Sequence, residues 1–312
     1  MAKKPRNPLT DFVVYAIVRV VVCVLQALPL TVALRCGGLL GMLAYHIDQR
    51  HREVARDNLR HALPDRCADP DECDRIVRAC FRHFCTMAIE IVWLPRRMHL
   101  HNWRRYATET RLGDFLRGIL ADRPFLIVTC HFGNWEVPGY VVGLVGFRTY
   151  AIARELDNPY LDKFLKKFRQ KTGQTVLAKK GDFDQITQIL AAGGAIATLG
   201  DQDAGPRGLF VDFFGRPAST HKAIALLALE HNVPMVVLGT PKLDGRYRIW
   251  GIDVIYPEDY EKSPDAIRAI TQRFTTGLES LIRMAPEQYF WVHRRWKHAP
   301  VERRKKIKPL AA

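Results

Sequence analysis

Residues 124–136 read PFLIVTCHFGNWE: an apolar run ends in His131, and Glu136 follows five positions later. A neutral histidine held by a carboxylate is a general base, because the carboxylate fixes the tautomer and favours the imidazolium once a proton arrives. On a continuous helix, positions five apart diverge by roughly 140°. The two side chains converge only if the chain turns between them. Gly133 tolerates the dihedrals of such a turn, Asn134 suits a helix N-cap, and Pro138 fits near a helix start. His131 is therefore expected on a strand-end loop, with Glu136 reaching back from the first helical turn. The same residues also suit a plainer arrangement, in which Glu136 only complements a helix N-terminus.

No nucleophilic side chain accompanies the pair. The only serines are Ser219, Ser263 and Ser280, and none lies in G-x-S-x-G. The chain has no phosphate-binding loop of the G-x-x-x-x-G-K-[ST] type, no G-x-G-x-x-G after a strand and no H-E-x-x-H. Cys130 directly precedes His131, so strand alternation points it away, into the core. The base is left to act on a hydroxyl of the substrate itself. Asp201, Gln202 and Asp203 follow a second strand. This D-x-D also fits a metal-dependent glycosyltransferase. No group of histidines, cysteines and carboxylates has metal-ligand spacing, so neither a metal nor another cofactor is expected.

Alternating strands and helices must position these residues. Strands are expected at 125–130, 149–154, 195–200, 235–240 and 247–255. Between them lie helical stretches at 158–173, 221–232 and 263–284. The first opens with Asn158 as cap and Pro159 at its first position, and Gly173 stops it. The alternation predicts an α/β fold whose central, largely parallel sheet is flanked by helices. Ligands in such sheets sit at the carboxyl ends of strands, where His131 and Asp201 both fall.

Upstream, residues 48–120 read as a charged helical layer, and residues 121–300 as the α/β core. Residues 1–47 open on a basic start, Lys3, Lys4 and Arg6, and are then largely apolar. The run Phe12–Leu28 carries only Arg19 and Gln26 as polar residues and meets Pro29; a second apolar stretch ends near Ile47. It predicts a membrane-associated anchor helix, with a spanning helix or a core helix as the other fits. Net charge is +15, which favours acidic partners, but no basic-aromatic interleaving points to nucleic acid. The seven cysteines include no C-x-x-C and read as reduced thiols. Residues 301–312 form a basic tail.

Several blocks occur together: HREVARDNLRHALPD, HFGNWE, ARELDNPYLDKFLKKFRQKTG, DQDAGPRGLFVDFFGRPAST and WVHRRWK. HFGNWE looks like the H-x4-[D/E] box of the lysophospholipid acyltransferase superfamily. The blocks in this order resemble the late acyltransferases of lipid A biosynthesis, the lauroyl/myristoyl acyltransferase family. The resemblance implies a glycerol-phosphate-acyltransferase-like fold at the cytoplasmic face of the inner membrane. It implies acyl transfer from an acyl carrier protein thioester to a hydroxyl of a lipid A precursor. On that reading His131 is the base, supported by Glu136, and the acceptor glycolipid and the membrane surface are the other partners. Arg154 would bind a sugar phosphate or steady the oxyanion, although Glu155 stands where proline is commoner. Asn134, Trp135, Asp201, Gln202 and Asp203 would contact substrate. Phe213 and Phe214 would shape an apolar pocket, and Arg294 and Arg295 would hold phosphates. Read from its own residues, the basic face of 159–171 suits docking of an acidic donor protein or of anionic head groups, or is simply solvated. Another glycolipid acceptor, such as a phosphatidylinositol mannoside, and acyl-coenzyme A as donor remain alternatives.

Overall fold

The computed structural model describes residues 7–111, 113, 123–153, 155–170, 173–178 and 183–300. Arg154, Lys171 and the basic tail lie outside the described residues.

Helix α1 spans Pro8–Ala27 and α2 spans Leu30–Ile47. Asn7 caps α1 by accepting from the Leu9 amide at 2.9 Å, and Pro8 occupies the first helical position. Pro29 separates the two helices. Both are long and apolar enough to cross a bilayer. Only Val22 of α1 is buried; Phe12, Val13, Ile17, Val20 and Val24 are exposed, so α1 is not a core helix.

Helix α3 (Gln49–Ala62) and helix α4 (Pro70–Trp93) follow. The buried stripe Gly37, Gly38 and Gly41 of α2 faces α4. A Cβ at Gly41 would lie 2.5 Å from the Arg82 Cα, and one at Gly37 would lie 2.8 Å from Ile89 Cδ1. Glycine thus lets the two backbones meet. The other side of α2 leaves Leu39, Leu40, Leu43 and Ile47 exposed.

The main sheet is built from β1 (Ala107–Thr110), β2 (Phe125–Thr129), β3 (Thr149–Ala153), β4 (Gln174–Ala178), β5 (Ala195–Leu199), β8 (Met235–Gly239), β9 (Lys242–Leu243) and β10 (Arg246–Ile255). Its order is β1-β10-β8-β2-β5-β3-β4, with β9 paired to β10. From β8 to β4 all pairs are parallel; β10 runs antiparallel to β8. β6 (Leu209–Phe213) and β7 (Arg216–Thr220) form a separate hairpin. The α/β fold with a largely parallel sheet is as expected. β1, β4 and the hairpin are additions. β1 shows that the stretch 48–120 is not wholly helical, because its end supplies an edge strand.

β2 is wholly buried because helices cover both faces of the sheet. Leu126, Val128 and Cys130 point into a core with Phe274, Leu278 and Leu281 of helix α9 (Ala266–Met284). Phe125 and Ile127 pack on the opposite face with Val137 and Val141 of helix α5 (Glu136–Leu144). Helix α6 (Pro159–Gln170) begins as expected: Asn158 Oδ1 accepts from the amides of Tyr160 and Leu161. It also grips α1. Asn158 Nδ2 donates to the Asp11 carbonyl at 2.9 Å, and the Arg19 guanidinium lies 4.9 Å from the Phe164 ring centre. Helices α7 (Phe183–Ala191) and α8 (Ala223–Glu230) complete the layers.

The glycine stripe yields a paired expectation. Gly41→Ala forces a methyl into the α4 backbone and is expected to destabilise by about 1–3 kcal/mol. At Gly38 the nearest atoms to an added Cβ are 3.8 Å away. Gly38→Ala should therefore be neutral, or stabilising by up to about 1 kcal/mol through helix propensity. Thermal unfolding of both variants in detergent, followed by circular dichroism, checks the contrast.

Candidate active site

The parallel pairing of β2 with β5 matches Thr129 to Leu199, and the Gly200 amide continues the ladder by donating to the Thr129 carbonyl at 2.8 Å. The next residues on each strand are side by side. His131 Nδ1 lies 2.9 Å from Asp201 Oδ1, and the His131 amide donates to Asp201 Oδ2 at 3.0 Å. The carboxylate that holds His131 is thus Asp201. Asp201 is buried, while the imidazole keeps 14% of its side-chain surface exposed. With Nδ1 held by a carboxylate, Nε2 is the basic nitrogen.

Glu136 does not bond to His131. Its carboxylate is taken by Arg169 of α6, with Nε donating to Oε2 at 3.0 Å and Nη2 donating to Oε1. The expected turn is present, but it carries the His131 and Glu136 side chains apart. Gly133 has φ +60°, and a Cβ there would lie 1.9 Å from the Thr240 carbonyl oxygen, so only glycine fits. The Gly133 amide donates to the Gln288 carbonyl at 3.0 Å and the Asn134 amide to the Thr240 carbonyl at 2.9 Å. His83 Nε2 sits 3.1 Å from the Gly133 carbonyl oxygen, and burial pushes its pKa down to about 4. These contacts aim Glu136 at α6, where it acts on His131 only through its charge.

The remaining expected site residues fall into two groups. Trp135 stands against His131, with ring centres 4.9 Å apart, and Gln202 is half-buried beside Asp201. Arg294 is exposed. Asn134, by contrast, is fully buried: its Nδ2 donates to Tyr247 Oη at 3.3 Å, and its Oδ1 accepts from the Glu136 amide at 3.2 Å. It braces the first residue of α5 from inside the fold. Asp203 accepts from the Gly205 amide and pairs with His298 Nδ1 at 2.8 Å, so the two aspartates of D-x-D serve different histidines. Phe213 and Phe214 are core residues packed on Trp296 and Trp291. Arg295 is 1% exposed, donates to the Ser219 carbonyl and Thr220 Oγ1, and stacks on Phe213. Its guanidinium braces the hairpin from within and is closed to a phosphate. The pocket expected from Phe213 and Phe214 is not there, because the hairpin turns both rings inward.

An apolar cavity of about 210 Å³ lies elsewhere, between the sheet and α5. Ile127, Thr129, Leu238 and Ala197 form its sheet wall, and Trp135, Pro138, Val141 and Val142 form its helix wall. Its near end meets His131 through Trp135. The signal for it was alternation: Ile127, Thr129 and His131 are odd positions of one strand and share a face. Asn58 also escaped sequence reasoning. Its Nδ2 donates to the carbonyls of Trp291 and His293, pinning the segment whose Phe290 amide donates to the His131 carbonyl.

Burial opposes protonation of His131, but the Asp201 charge and hydrogen bond outweigh it, so its pKa is raised above the ordinary 6.5. Burial likewise opposes ionisation of Asp201, yet the imidazolium and two hydrogen bonds from His131 hold its pKa below 3.8. A raised histidine stabilises the fold fully below its unfolded pKa, and that stability is lost as pH rises through the folded value. A lowered aspartate stabilises above its unfolded pKa, and that stability is lost as pH falls through the folded value. The pair therefore contributes in full between about 3.8 and 6.5.

Fold and site together define an α/β enzyme with a carboxylate-held histidine at the strand ends, beside a cavity suited to an alkyl chain. Residues 3–298 match the family described as bacterial lipid A biosynthesis acyltransferase. The chain belongs to that family and is an acyltransferase. It is 28% identical over 284 residues to the lipid A biosynthesis lauroyltransferase of Escherichia coli K12, covering 88% of each chain. It is 26% identical over 282 residues to the palmitoleoyltransferase of the same organism, again covering 88% of each. A phosphatidylinositol mannoside acyltransferase of Mycolicibacterium smegmatis is 26% identical over 260 residues, covering 78% of this chain and 79% of its own.

The opposed forces on His131 predict a reversal. In the wild type its imidazole titrates above 6.5. In Asp201→Asn the charge is gone and burial remains, so the pKa falls below 6.5. Histidine-labelled protein followed by NMR across pH reads both values.

Proposed function

We propose that the protein moves a fatty acyl chain from an acyl carrier protein thioester to a hydroxyl of a lipid A precursor, with His131 as general base. The observation that carries this reading is the bond from Asp201 to His131 Nδ1, which leaves Nε2 to take a proton beside the apolar cavity. The acceptor hydroxyl gives its proton to Nε2 as its oxygen attacks the thioester carbonyl carbon. The tetrahedral intermediate collapses, the C–S bond breaks, and the imidazolium returns the proton to the leaving sulfur. Asp201 orients His131 and stabilises the imidazolium, while Glu136, locked to Arg169, adds charge at longer range. The alkyl chain lies between α5 and the sheet. The family supports a lipid A acceptor.

The exposed apolar sides of α1 and α2 embed in the inner membrane, with the catalytic face toward the cytoplasm. On α6, Lys166 is engaged by Glu155 at 3.0 Å and Asp162 at 2.9 Å, while Lys163 and Lys167 are exposed. These two lysines are the contact for an acidic donor protein.

Three outcomes test this. His131→Ala should lower acyl transfer to a lipid A precursor by ~10²–10⁴. Glu136→Gln should cost less than Asp201→Asn, because only Asp201 holds the ring. Equal losses would return the supporting role to Glu136. Changing Lys163 and Lys167 together to Glu should lower kcat/KM with the carrier-protein donor and leave kcat nearly unchanged. The gap should close as salt shortens the screening length below roughly 8 Å. Equal kcat/KM at low salt would remove α6 as the docking surface, and transfer by the wild type from acyl-coenzyme A but not from the carrier-protein thioester would replace the donor.

A further inference from the structure

We propose that Gln174 is the stop that sets the length of the transferred chain; this rests on the acyl-transfer reading above. Gln174 opens β4 and is 7% exposed. It lines the 210 Å³ cavity and also a second void of about 20 Å³, and it is the one residue common to both. Its amide passes over α5 at Gly139, where an added Cβ would lie 2.2 Å from Nε2. Among the described residues its amide makes no hydrogen bond, so packing and not a polar partner holds it there. The amide is a partition between two spaces that would otherwise join.

The register puts the Gln174 backbone at the far end of the cavity, and its side chain reaches from there to Gly139 on α5. Gln174 pairs with Thr149, Thr149 with Ala195, and Ala195 with Phe125. Gln174 is therefore level with the first residue of β2, while His131 follows its last. Six strand residues separate the two levels, roughly 20 Å. A chain whose carbonyl sits at His131 descends the strand length and meets a polar amide. Beyond that amide the second void has an apolar side of Ile91, Leu94, Met98 and Val137 and a polar side of Asn134, Glu136 and Arg169. Truncating Gln174 frees the volume of its own side chain and joins it to the small void, so additional methylenes gain by burial against the apolar side. With the amide in place, they meet a steric and polar barrier.

The test uses full-length protein in detergent micelles, a lipid A precursor and an equimolar mixture of saturated acyl carrier protein thioesters from about ten to about eighteen carbons. Mass spectrometry of the products gives the length profile. Gln174→Ala should move the optimum at least two carbons longer. Gln174→Met, which keeps the reach of the side chain, should leave the optimum where it is. An active Gln174→Ala with the wild-type profile overturns the stop and leaves the acyl-transfer reading intact. Absence of transfer by the wild type with every thioester overturns that reading and the stop with it. Gln174→Ser replaces Gln174→Ala if the latter does not fold. Thermal stabilisation by free fatty acids of the same lengths reads the same shift without turnover: a wild-type ordering in the small-side-chain variant overturns the stop.

Discussion

The site depends on the parallel, in-register pairing of β2 with β5, because that pairing makes the bond between His131 and Asp201. Both residues lie two positions beyond the last rung, Thr129 with Leu199. A slip of one residue would turn Asp201 to the opposite face of the sheet. An ionised carboxylate as buried as Asp201 is costly alone. It is tolerated here because His131 gives it two hydrogen bonds and a proton to share. The same two groups, each made costly by burial, stabilise one another across a shared hydrogen bond. This coupling keeps an ionised acid and a raised histidine together at the edge of the core.

Around that pair, a polar frame holds the turn that carries the histidine. Glu90 is buried on α4 and accepts from Lys242 Nζ and Tyr247 Oη. Tyr247 in turn accepts from Asn134, whose Oδ1 braces the first residue of α5. Thus α4, β9, β10 and α5 meet through connected hydrogen bonds, and Glu90, Lys242, Tyr247 and Asn134 each have a partner. The frame explains why Asn134, so close to the base, is buried inside the fold. It also explains why the Glu136 side chain leaves toward α6: the helix begins with its first turn already anchored on the far side.

Helix α6 links distant parts of the molecule. One end grips α1 through Asn158 and Phe164, and Arg169 near the other end holds Glu136. Helix α1 is therefore tied to the site through α6, 12 residues long, as α2 is through α4. Apolar surface that is exposed on α1 and α2, and a cavity that opens beside His131, lie on one connected body.

Local physics made much of this legible in the sequence. The wholly apolar run before His131 reads as a buried strand, and β2 is one. Asn158 and Pro159 read as a helix start, and the Asn158 side chain caps α6. Gly133 reads as the pivot of a turn, and its φ of +60° bears that out. These are properties of neighbouring residues: alternation, capping and backbone freedom. Partners were another matter. His131 and Asp201 are 70 positions apart, and strand order, which the sequence does not spell out, brings them together. Glu136 stands nearer in the chain, but the turn and Arg169 draw it away. Arg295, Phe213 and Phe214 have types suited to phosphate and acyl contacts, yet the β6–β7 hairpin folds them inward. Composition and spacing therefore determined that a strand-end histidine would sit in an α/β protein. Only the tertiary structure decided which carboxylate holds it and where the apolar cavity lies, because both are set by contacts between elements distant in sequence.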